Sequence, residues 1–181
     1  QFLPERRDEV TYNRNVATVL TPLTEYLATS YSPDREYVDG RVVERAMGEK
    51  QHSKVQTELT IFLGTLRARL GISVFVEQRV QVKPLRFRVP DVCVCLGEPD
   101  EEIFTSPPFL VIEILSPDDR MTEMLEKIDD YLSFGVQYVW VFDPYGRRVT
   151  ACTAHGRDEV REGILHTENP DVAVPLAEIL R

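Results

Sequence analysis

Two carboxylates in apolar surroundings are the residues of this sequence best placed to do chemistry. Glu113 lies in the middle of the apolar run FLVIEILS, residues 109–116, and Asp91 follows Pro90 within the run RVPDVCVCL, residues 88–96. An ionised carboxylate that is buried without a partner costs several kcal/mol, which is comparable to the whole stability of a small domain. Each acid therefore needs a buried counter-charge.

A divalent cation would satisfy both acids at once if their segments form neighbouring strands. Neighbouring strands lie about 4.8 Å apart, so two carboxylates at matched heights on one face would repel each other. Oxygen ligands of this kind suit Mg²⁺ or Mn²⁺, at about 2.1 Å per ligand. The alternative for each acid taken singly is an ion pair, and Arg86 or Arg88 is close enough in sequence to provide it. For two acids in consecutive strands we favour metal binding by Asp91 and Glu113, because perturbed acids cluster at functional sites.

Two further side chains could join this site. Lys127 lies at the edge of the apolar stripe of a predicted helix, so its stem can follow the protein while its ammonium reaches toward the carboxyl ends of the strands. Without that context, its surroundings favour a solvated lysine on an acidic helix. His52 stands at the start of another predicted helix and could be a metal ligand, a proton carrier or an ordinary helix-start residue. Spacing alone favours the last of these.

The charge distribution separates a basic part of the chain from an acidic one. The formal net charge of -9 argues against a protein that coats nucleic acid through bulk electrostatics. Residues 50–90, however, carry eight lysines and arginines against two acids, whereas residues 98–130 carry eleven acids against two bases. The first segment could contact phosphates and the second could gather carboxylates. Solvated surfaces are the alternative for either segment.

The composition is that of a globular protein. With 181 residues, 43% of them hydrophobic, the chain can bury a core. No apolar run approaches the ~20 residues of a membrane span, and the amino terminus lacks the apolar centre of a signal peptide. We therefore expect a cytoplasmic protein without a membrane partner, with a loose lead-in over residues 1–20 and one domain over residues 21–181. The three cysteines argue for reduced thiols, and we expect Cys93 and Cys95 to be core residues rather than metal ligands with Cys152.

The periodicity of apolar residues predicts the elements that must position these groups. One helix is predicted over residues 51–70 and is closed by Gly71. A second begins at an N-cap around Ser116, and its apolar stripe comprises Met121, Leu125, Ile128 and Leu132. Asp39-Gly40 between β-favouring runs predicts a hairpin, with Glu36 on its first arm.

The predicted strands complete the core. Three lie between the two helices, with the sequences SVFVEQRVQV, RVPDVCVCL and FLVIEIL, and the strand QYVWVFD follows the second helix. A strand, helix and strand in this order form a right-handed crossover whose two strands are parallel. The predicted fold class is therefore α/β of the α+β type. It has a mixed β-sheet core in αβββαβ order, flanked by helices, with an amino-terminal hairpin.

A set of motifs in a fixed order points to a known family. The set comprises RVPDV, PPFLVIEILSP, a helix carrying Lys127 and Tyr131, and FGVQYVWVFDP. Together with EYVDGRVVE followed by His52, these motifs resemble the Uma-type family of restriction endonucleases, part of the PD-(D/E)xK nuclease superfamily. The resemblance covers roughly residues 22–155. The motifs are specific as an ordered set, although any one of them is weak.

The resemblance implies a restriction-endonuclease-like fold with a metal site. Pro90-Asp91 matches the PD element, and Glu113 matches the acid that follows it. Glu36 matches the acid that precedes the family's glycine turn, here Gly40, and His52 matches the histidine at the family's helix start.

The lysine departs from the superfamily pattern. The superfamily's lysine stands two residues after the acid, where this chain has Leu115. Lys127 matches the helix lysine that this family shows instead, so the role would come from a new backbone position. Two other functions stay open: a non-catalytic nucleic-acid or protein-binding module on the same fold, and a metal-dependent hydrolase of a small phosphorylated compound.

The resemblance implies a metal-dependent DNA endonuclease. In this interpretation Asp91 and Glu113 hold Mg²⁺ or Mn²⁺, Glu36 positions a water or a second ion, and Lys127 orients the nucleophile or stabilises charge on the phosphorane. The expected catalytic set is Glu36, His52, Asp91, Glu113 and Lys127. The basic residues expected to contact phosphates are Lys50, Lys54, Arg79, Lys83, Arg86 and Arg88, which makes binding salt-dependent. We expect a homodimer, since two symmetric sites can cut both strands of a duplex.

Overall fold

A computed structural model gives the structure of residues 20–45 and 48–181. The helices are α1 Leu23–Ala28, α2 Lys50–Leu70, α3 Met121–Phe134 and α4 Leu176–Ile179. The strands are β1 Glu36–Val38, β2 Arg41–Val43, β3 Ile72–Val76, β4 Val80–Lys83, β5 Arg86–Arg88, β6 Val92–Leu96, β7 Leu110–Ile114, β8 Tyr138–Asp143, β9 Arg148–Thr153, β10 Gly156–Val160, β11 Ile164–Leu165 and β12 Val174–Pro175. The predicted lead-in lies outside the described residues except for Leu20.

Six strands form the central sheet, in the order β10-β9-β8-β7-β6-β3. The β7 and β8 strands are parallel and α3 connects them, as the crossover pattern predicts, while the other neighbours are antiparallel. The mixed sheet and the αβββαβ order of its core are therefore confirmed. A second sheet, in the order β2-β1-β5-β4, contains the predicted hairpin. Asp39 and Gly40 both have positive φ at its turn, at 49° and 89°, as a tight two-residue hairpin requires.

The first two predicted strands are each divided, which sequence periodicity did not indicate. The run SVFVEQRVQV breaks at Glu77, whose φ is 52°, and its halves enter different sheets as β3 and β4. The run RVPDVCVCL breaks at Pro90, which has no N–H to donate to a sheet, and becomes β5 and β6. The prediction that Asp91 lies within a strand is therefore wrong, because Asp91 directly precedes β6.

The start of α3 also differs from its prediction. The helix begins at Met121, after a turn in which the Ser116 amide donates a hydrogen bond to Asp119. Met121 is 57% exposed, so the prediction that it belongs to the buried stripe is wrong. Met124 and Tyr131 are buried in its place. The buried face of α3 therefore includes Met124, Ile128 and Tyr131.

The two helices cover opposite faces of β7, which is buried along its whole length. Leu110, Ile112 and Ile114 belong to the cluster that packs against α2, whereas Val111 belongs to the cluster that packs against α3. Glu113 lies between Ile112 and Ile114 and therefore faces α3. Each fully buried aliphatic side chain stabilises the fold by about 1.5–3 kcal/mol, so this strand can tolerate one costly carboxylate.

The three cysteines lie in the core of the protein. Cys93, Cys95 and Cys152 are buried free thiols, which confirms that they are core residues. Across the part of the chain that the structure describes, no helix is long and apolar enough to cross a membrane.

Candidate active site

The register of the central sheet brings Asp91 and Glu113 to the same height. Val92 pairs with Ile112 across β6 and β7, so the residue before Val92 lies opposite the residue after Ile112. The Ile114 amide donates a hydrogen bond of 2.7 Å to Oδ2 of Asp91. Both acids are buried, at 4% and 2% exposure. Two carboxylates therefore face the same small volume at the end of adjacent strands.

Asp91 is neutralised by two basic side chains. Arg45 Nη2 lies 2.6 Å from Oδ1, and His52 Nε2 lies 3.3 Å from Oδ2. Burial raises the pKa of Asp91, but contacts with His52 and Arg45 outweigh burial and hold the pKa below its usual range. Burial lowers the pKa of His52, and its hydrogen bond with Asp91 more than compensates, so that pKa is raised. The internal partner of Asp91 is therefore Arg45, not Arg86 or Arg88.

Glu113 is held by two residues of α3. Tyr131 Oη donates to Oε1 at 2.7 Å, and Lys127 Nζ lies 3.3 Å from Oε2. Burial and the negative charges of Asp91 and Glu36 together raise the pKa of Glu113 to about 7, although Lys127 and the hydrogen bond from Tyr131 lower it. Burial first, and the neighbouring acids second, therefore make Glu113 harder to ionise.

Lys127 bridges Glu113 and the hairpin. Its Nζ lies 3.0 Å from Oε1 of Glu36. Burial lowers the pKa of Lys127, but the carboxylates of Glu113 and Glu36 outweigh burial and keep the pKa above its usual value. The ammonium is therefore a permanent positive charge at the site. The alternative of a freely solvated lysine is wrong, since the side chain is 17% exposed and contacts both acids.

Both carboxylate oxygens of Glu36 are occupied by donors. In addition to its contact with Lys127, Glu36 accepts a hydrogen bond of 2.8 Å from Arg88 Nη1 and one of 3.3 Å from the Val89 amide. Burial raises the pKa of Glu36, but Lys127 and Arg88 lower it by more. With its oxygens occupied in this way, Glu36 orients Lys127.

Four of the six cations predicted to contact phosphates form ion pairs within the protein. Arg88 is 5% exposed and also binds Asp130 through Nε and Nη2, at 2.9 and 2.7 Å. The structure thus places Arg88 in the interior, contrary to its predicted surface role. Lys83 and Arg86 pair with the same aspartate. Arg79 pairs with Asp34, while Lys50 and Lys54 are exposed.

One cavity is lined by the paired acids, and a larger cavity lies next to it. The smaller, of about 20 Å³, is lined by Arg45, His52, Asp91, Glu113, Ile114, Ser116, Asp119, Met124 and Lys127. A single water needs about 10–15 Å³, so this cavity has room for one water-sized particle. The larger, of about 310 Å³, opens between the hairpin and the start of α3. The two cavities share Arg45 and Lys127, so a substrate in the larger cavity would lie beside the two cations that contact the paired carboxylates.

The donor set at the smaller cavity is compatible with a hard divalent cation. Asp91 and Glu113 supply carboxylate oxygens, and the charge of one raises the pKa of the other, as expected where a shared cation would relieve repulsion. Mg²⁺ often uses only one or two carboxylates and completes its shell with water and substrate phosphate. Within residues 20–45 and 48–181, no group of three or more His, Cys, Asp and Glu side chains is arranged to hold a metal ion. The fit is therefore to a two-carboxylate site.

Replacing Glu113 with Gln in the presence of chelator tests the repulsion between these acids. Glu113 has a pKa of about 7 when folded against 4.5 as its reference value. The folded protein therefore binds more protons between these values, and its stability falls as the pH rises from 4.5 to 7. We expect Glu113→Gln to raise the free energy of unfolding by about 1–3 kcal/mol at pH 8, and the gain to shrink toward pH 5. Urea denaturation at both pH values measures it.

Glu123→Gln is the matched control, because Glu123 is an exposed acid on the same helix. It should leave stability unchanged at both pH values. A lower stability of Glu113→Gln in chelator at pH 8 would show that Glu113 is a structural partner of Lys127 and Tyr131, and would count against a metal site.

All five residues of the predicted catalytic set are brought together, although their roles stay predictions. Contacts of 3.0 to 3.3 Å link Glu36 to Lys127, Lys127 to Glu113, and His52 to Asp91. Sequence reasoning missed Arg45 and Asp130. Asp130 follows Lys127 by three residues and so lies near it on the helix, which could have been noticed. Arg45 offers no comparable signal, because it stands outside every periodic segment.

A mixed sheet with one acid directly before β6, a second acid on the adjacent β7 and a lysine from the crossover helix is typical of the restriction-endonuclease-like class of fold. The chain belongs to the Uma2 family, whose model, described as "Putative restriction endonuclease", matches residues 23–178. A crystal structure of a protein from Anabaena variabilis, described as a "putative nuclease belonging to DUF820", is similar with a TM-score of 0.75 and 23% sequence identity. The similarity covers 87% of this chain and 96% of that chain, and it shows the fold. No curated protein matches the sequence significantly.

Proposed function

We propose that this protein is a divalent-metal-dependent endonuclease that hydrolyses phosphodiester bonds in DNA. Membership of the Uma2 family supports a nuclease function. The observation that carries the finer proposal is the convergence of Asp91, Glu113 and Lys127 on one cavity with room for a water-sized particle. A binding module that had lost its activity would have no need to keep two buried, mutually repelling acids beside a lysine.

Asp91 and Glu113 would hold Mg²⁺ or Mn²⁺, which supplies Lewis-acid polarisation of the phosphate and a water of lowered pKa. Tyr131 fixes the rotamer of Glu113 by donating to Oε1. His52 and the Ile114 amide fix the orientation of Asp91 by their contacts with Oδ2. The two carboxylates are thus held in place by hydrogen bonds before substrate arrives, which lowers the cost of reaching the reactive arrangement.

Lys127 would take the place of the superfamily's lysine, but it lies on α3 and not two residues after Glu113. Its ammonium is protonated throughout the physiological range because Glu113 and Glu36 raise its pKa. It can therefore donate to the attacking water or to an oxygen of the phosphorane, but it cannot act as a general base. Glu36 is a positioning residue in this scheme, replacing the expected role of holding a water or second ion.

DNA would reach the acids through the larger cavity, of about 310 Å³, whose lining includes Arg41 and Arg120. Lys50 and Lys54 at the start of α2 are exposed and remain the predicted phosphate contacts next to His52. Most other predicted cations are paired with acids of this chain, so we propose a smaller phosphate-binding surface than the charge count suggested. A homodimer that cuts both strands stays a prediction.

Metal binding should be visible as stabilisation. We expect millimolar Mn²⁺ or Mg²⁺ to raise the midpoint of thermal unfolding by roughly 2–4 °C, assuming an ion concentration about ten times its Kd. The rise should vanish in Asp91→Ala, which loses one of the two carboxylates. Differential scanning fluorimetry of both proteins, with and without chelator, measures the shift. An equal rise in parent and variant would place the ion elsewhere.

Hydrolysis is tested directly on supercoiled plasmid in Mn²⁺, with Asp91→Asn as the inactive control. Nicking that requires metal and Asp91 supports the endonuclease. Retention of the parent on DNA without any cleavage would favour the binding module. Salt-insensitive cleavage of a small phosphodiester, with no retention on DNA, would favour a hydrolase acting on a small phosphorylated compound.

A further inference from the structure

Arg45 lies where the two cavities of the site meet. It follows β2 in a segment without regular secondary structure, and its side chain is 11% exposed. It lines both the cavity of about 20 Å³ at the acids and the cavity of about 310 Å³ that opens to the surface. Asp119, Met124 and Lys127 line both cavities as well, so Arg45 is one of two cations that face both.

The contacts of Arg45 are unequal. Its Nη2 lies 2.6 Å from Oδ1 of Asp91, whereas its Nη1 lies 3.4 Å from Oε1 of Glu77, an acid that is 46% exposed. Burial lowers the pKa of Arg45, but Asp91 and the nearby glutamates raise it, so the charge is permanent. The ion pair between Arg45 and Asp91 is therefore the short and buried one, and it uses a carboxylate that the proposed metal site also requires.

The same oxygen cannot serve a guanidinium and a divalent cation equally well. Two positive charges on one carboxylate repel each other strongly in a site that excludes most water. Arg45 is thus a resident competitor for Asp91. A guanidinium that is released from a carboxylate is suited to a phosphate, because both anions present paired oxygens to its fork of N–H donors.

We propose that Arg45 exchanges partners during binding: it neutralises Asp91 in the resting protein and contacts a non-bridging phosphate oxygen of the substrate when a divalent cation binds Asp91. The inference rests on the proposed nuclease function and deepens it, since it assigns a phosphate ligand at the reacting group. Because of this exchange, Asp91 has a positive partner in the absence of metal. It also places a positive charge beside the phosphate only when the site is complete.

The test uses Arg45→Ala, with Arg45→Gln as a second variant that keeps more of the side-chain volume. Titration calorimetry with Mn²⁺ and no DNA should give a Kd about threefold to tenfold lower than that of the parent, because the competing charge is gone. Binding of a labelled DNA duplex in Ca²⁺ should weaken by about tenfold for loss of one charge-assisted phosphate contact. Plasmid cleavage at saturating Mn²⁺ should slow by about 100-fold.

Arg157→Ala is the matched control, since Arg157 forms an Arg–Asp pair of 2.7 Å with Asp129 on the surface. It should change none of the three readouts. An unchanged or higher Kd for Mn²⁺ in both Arg45 variants would overturn the competition. Parental duplex binding and cleavage in variants that bind Mn²⁺ more tightly would overturn the phosphate contact.

The metal and duplex measurements need no hydrolysis. If the parent cleaves nothing, yet both binding changes appear, the exchange of partners stands and the endonuclease proposal fails. If the parent cleaves plasmid and neither binding change appears, the endonuclease proposal stands and this inference fails.

Discussion

Replacing Lys127 with Met is expected to slow metal-dependent cleavage of DNA by about 1,000-fold, which is the upper range for loss of one preorganised donor to a developing negative charge. The ammonium lies 3.3 Å from Glu113 at the cavity and is held by Glu36 from the other side. Met matches the length of most of the lysine side chain and removes only the charge and its hydrogen bonds. Plasmid nicking under single-turnover conditions, with saturating Mn²⁺, measures the change.

The fold should survive this substitution, which makes the activity loss interpretable. Glu36 keeps its contacts with Arg88 and the Val89 amide. Glu113, whose pKa is already about 7, can take up a proton when Lys127 is gone. A thermal midpoint close to that of the parent, together with retained duplex binding in Ca²⁺, would assign the effect to catalysis. Parental cleavage by Lys127→Met would rule out the lysine as the superfamily's equivalent.

A second variant tests whether the lysine must lie on α3 or can also act from position 115. Leu115 lies two residues after Glu113 and so faces the same side of β7, where it packs against the cluster of α3. Adding Leu115→Lys to Lys127→Met returns the amino group to the superfamily's usual position. We expect part of the lost activity to return. No recovery in a folded double variant would mean that the site requires the approach from α3.

Replacing Arg88 with Met is expected to lower the free energy of unfolding by about 3 kcal/mol, at the lower end of the range for breaking a buried ion pair. Arg88 joins Glu36 on β1 to Asp130 on α3 while it is only 5% exposed. Its loss leaves both acids buried with fewer donors. The effect stays at the lower end because Lys127 still pairs with Glu36, and Lys83 still pairs with Asp130.

Arg157→Met is the control, because Arg157 pairs with Asp129, the neighbour of Asp130 on the same helix, at the same distance of 2.7 Å. Arg157 and Asp129 are 40% and 68% exposed, and an exposed pair contributes about 0–1 kcal/mol. Urea denaturation of both variants measures the difference. Equal, small effects would show that Arg88 is dispensable for the fold and free to serve another role.

The helices and strands of the site could be predicted where residues close together in the sequence determine them. The α2 helix begins and ends within one residue of its predicted bounds, because its apolar spacing and Gly71 both act within a few residues. The apolar run around Glu113 identified a deeply buried strand for the same reason. The break at Glu77 could not be predicted, since β3 and β4 enter different sheets and only their partners determine that separation.

The sequence by itself determined which residues are costly to bury, and so identified Asp91 and Glu113, because desolvation is a property of each side chain and its immediate run. Only the tertiary structure decided which cation neutralises which acid. Arg45 reaches Asp91 across 46 positions of sequence, and Arg88 reaches Glu36 across 52. Ion pairing depends on distance in space, which the packing of β1, β5 and α3 against the central sheet sets, and no local spacing encodes that packing.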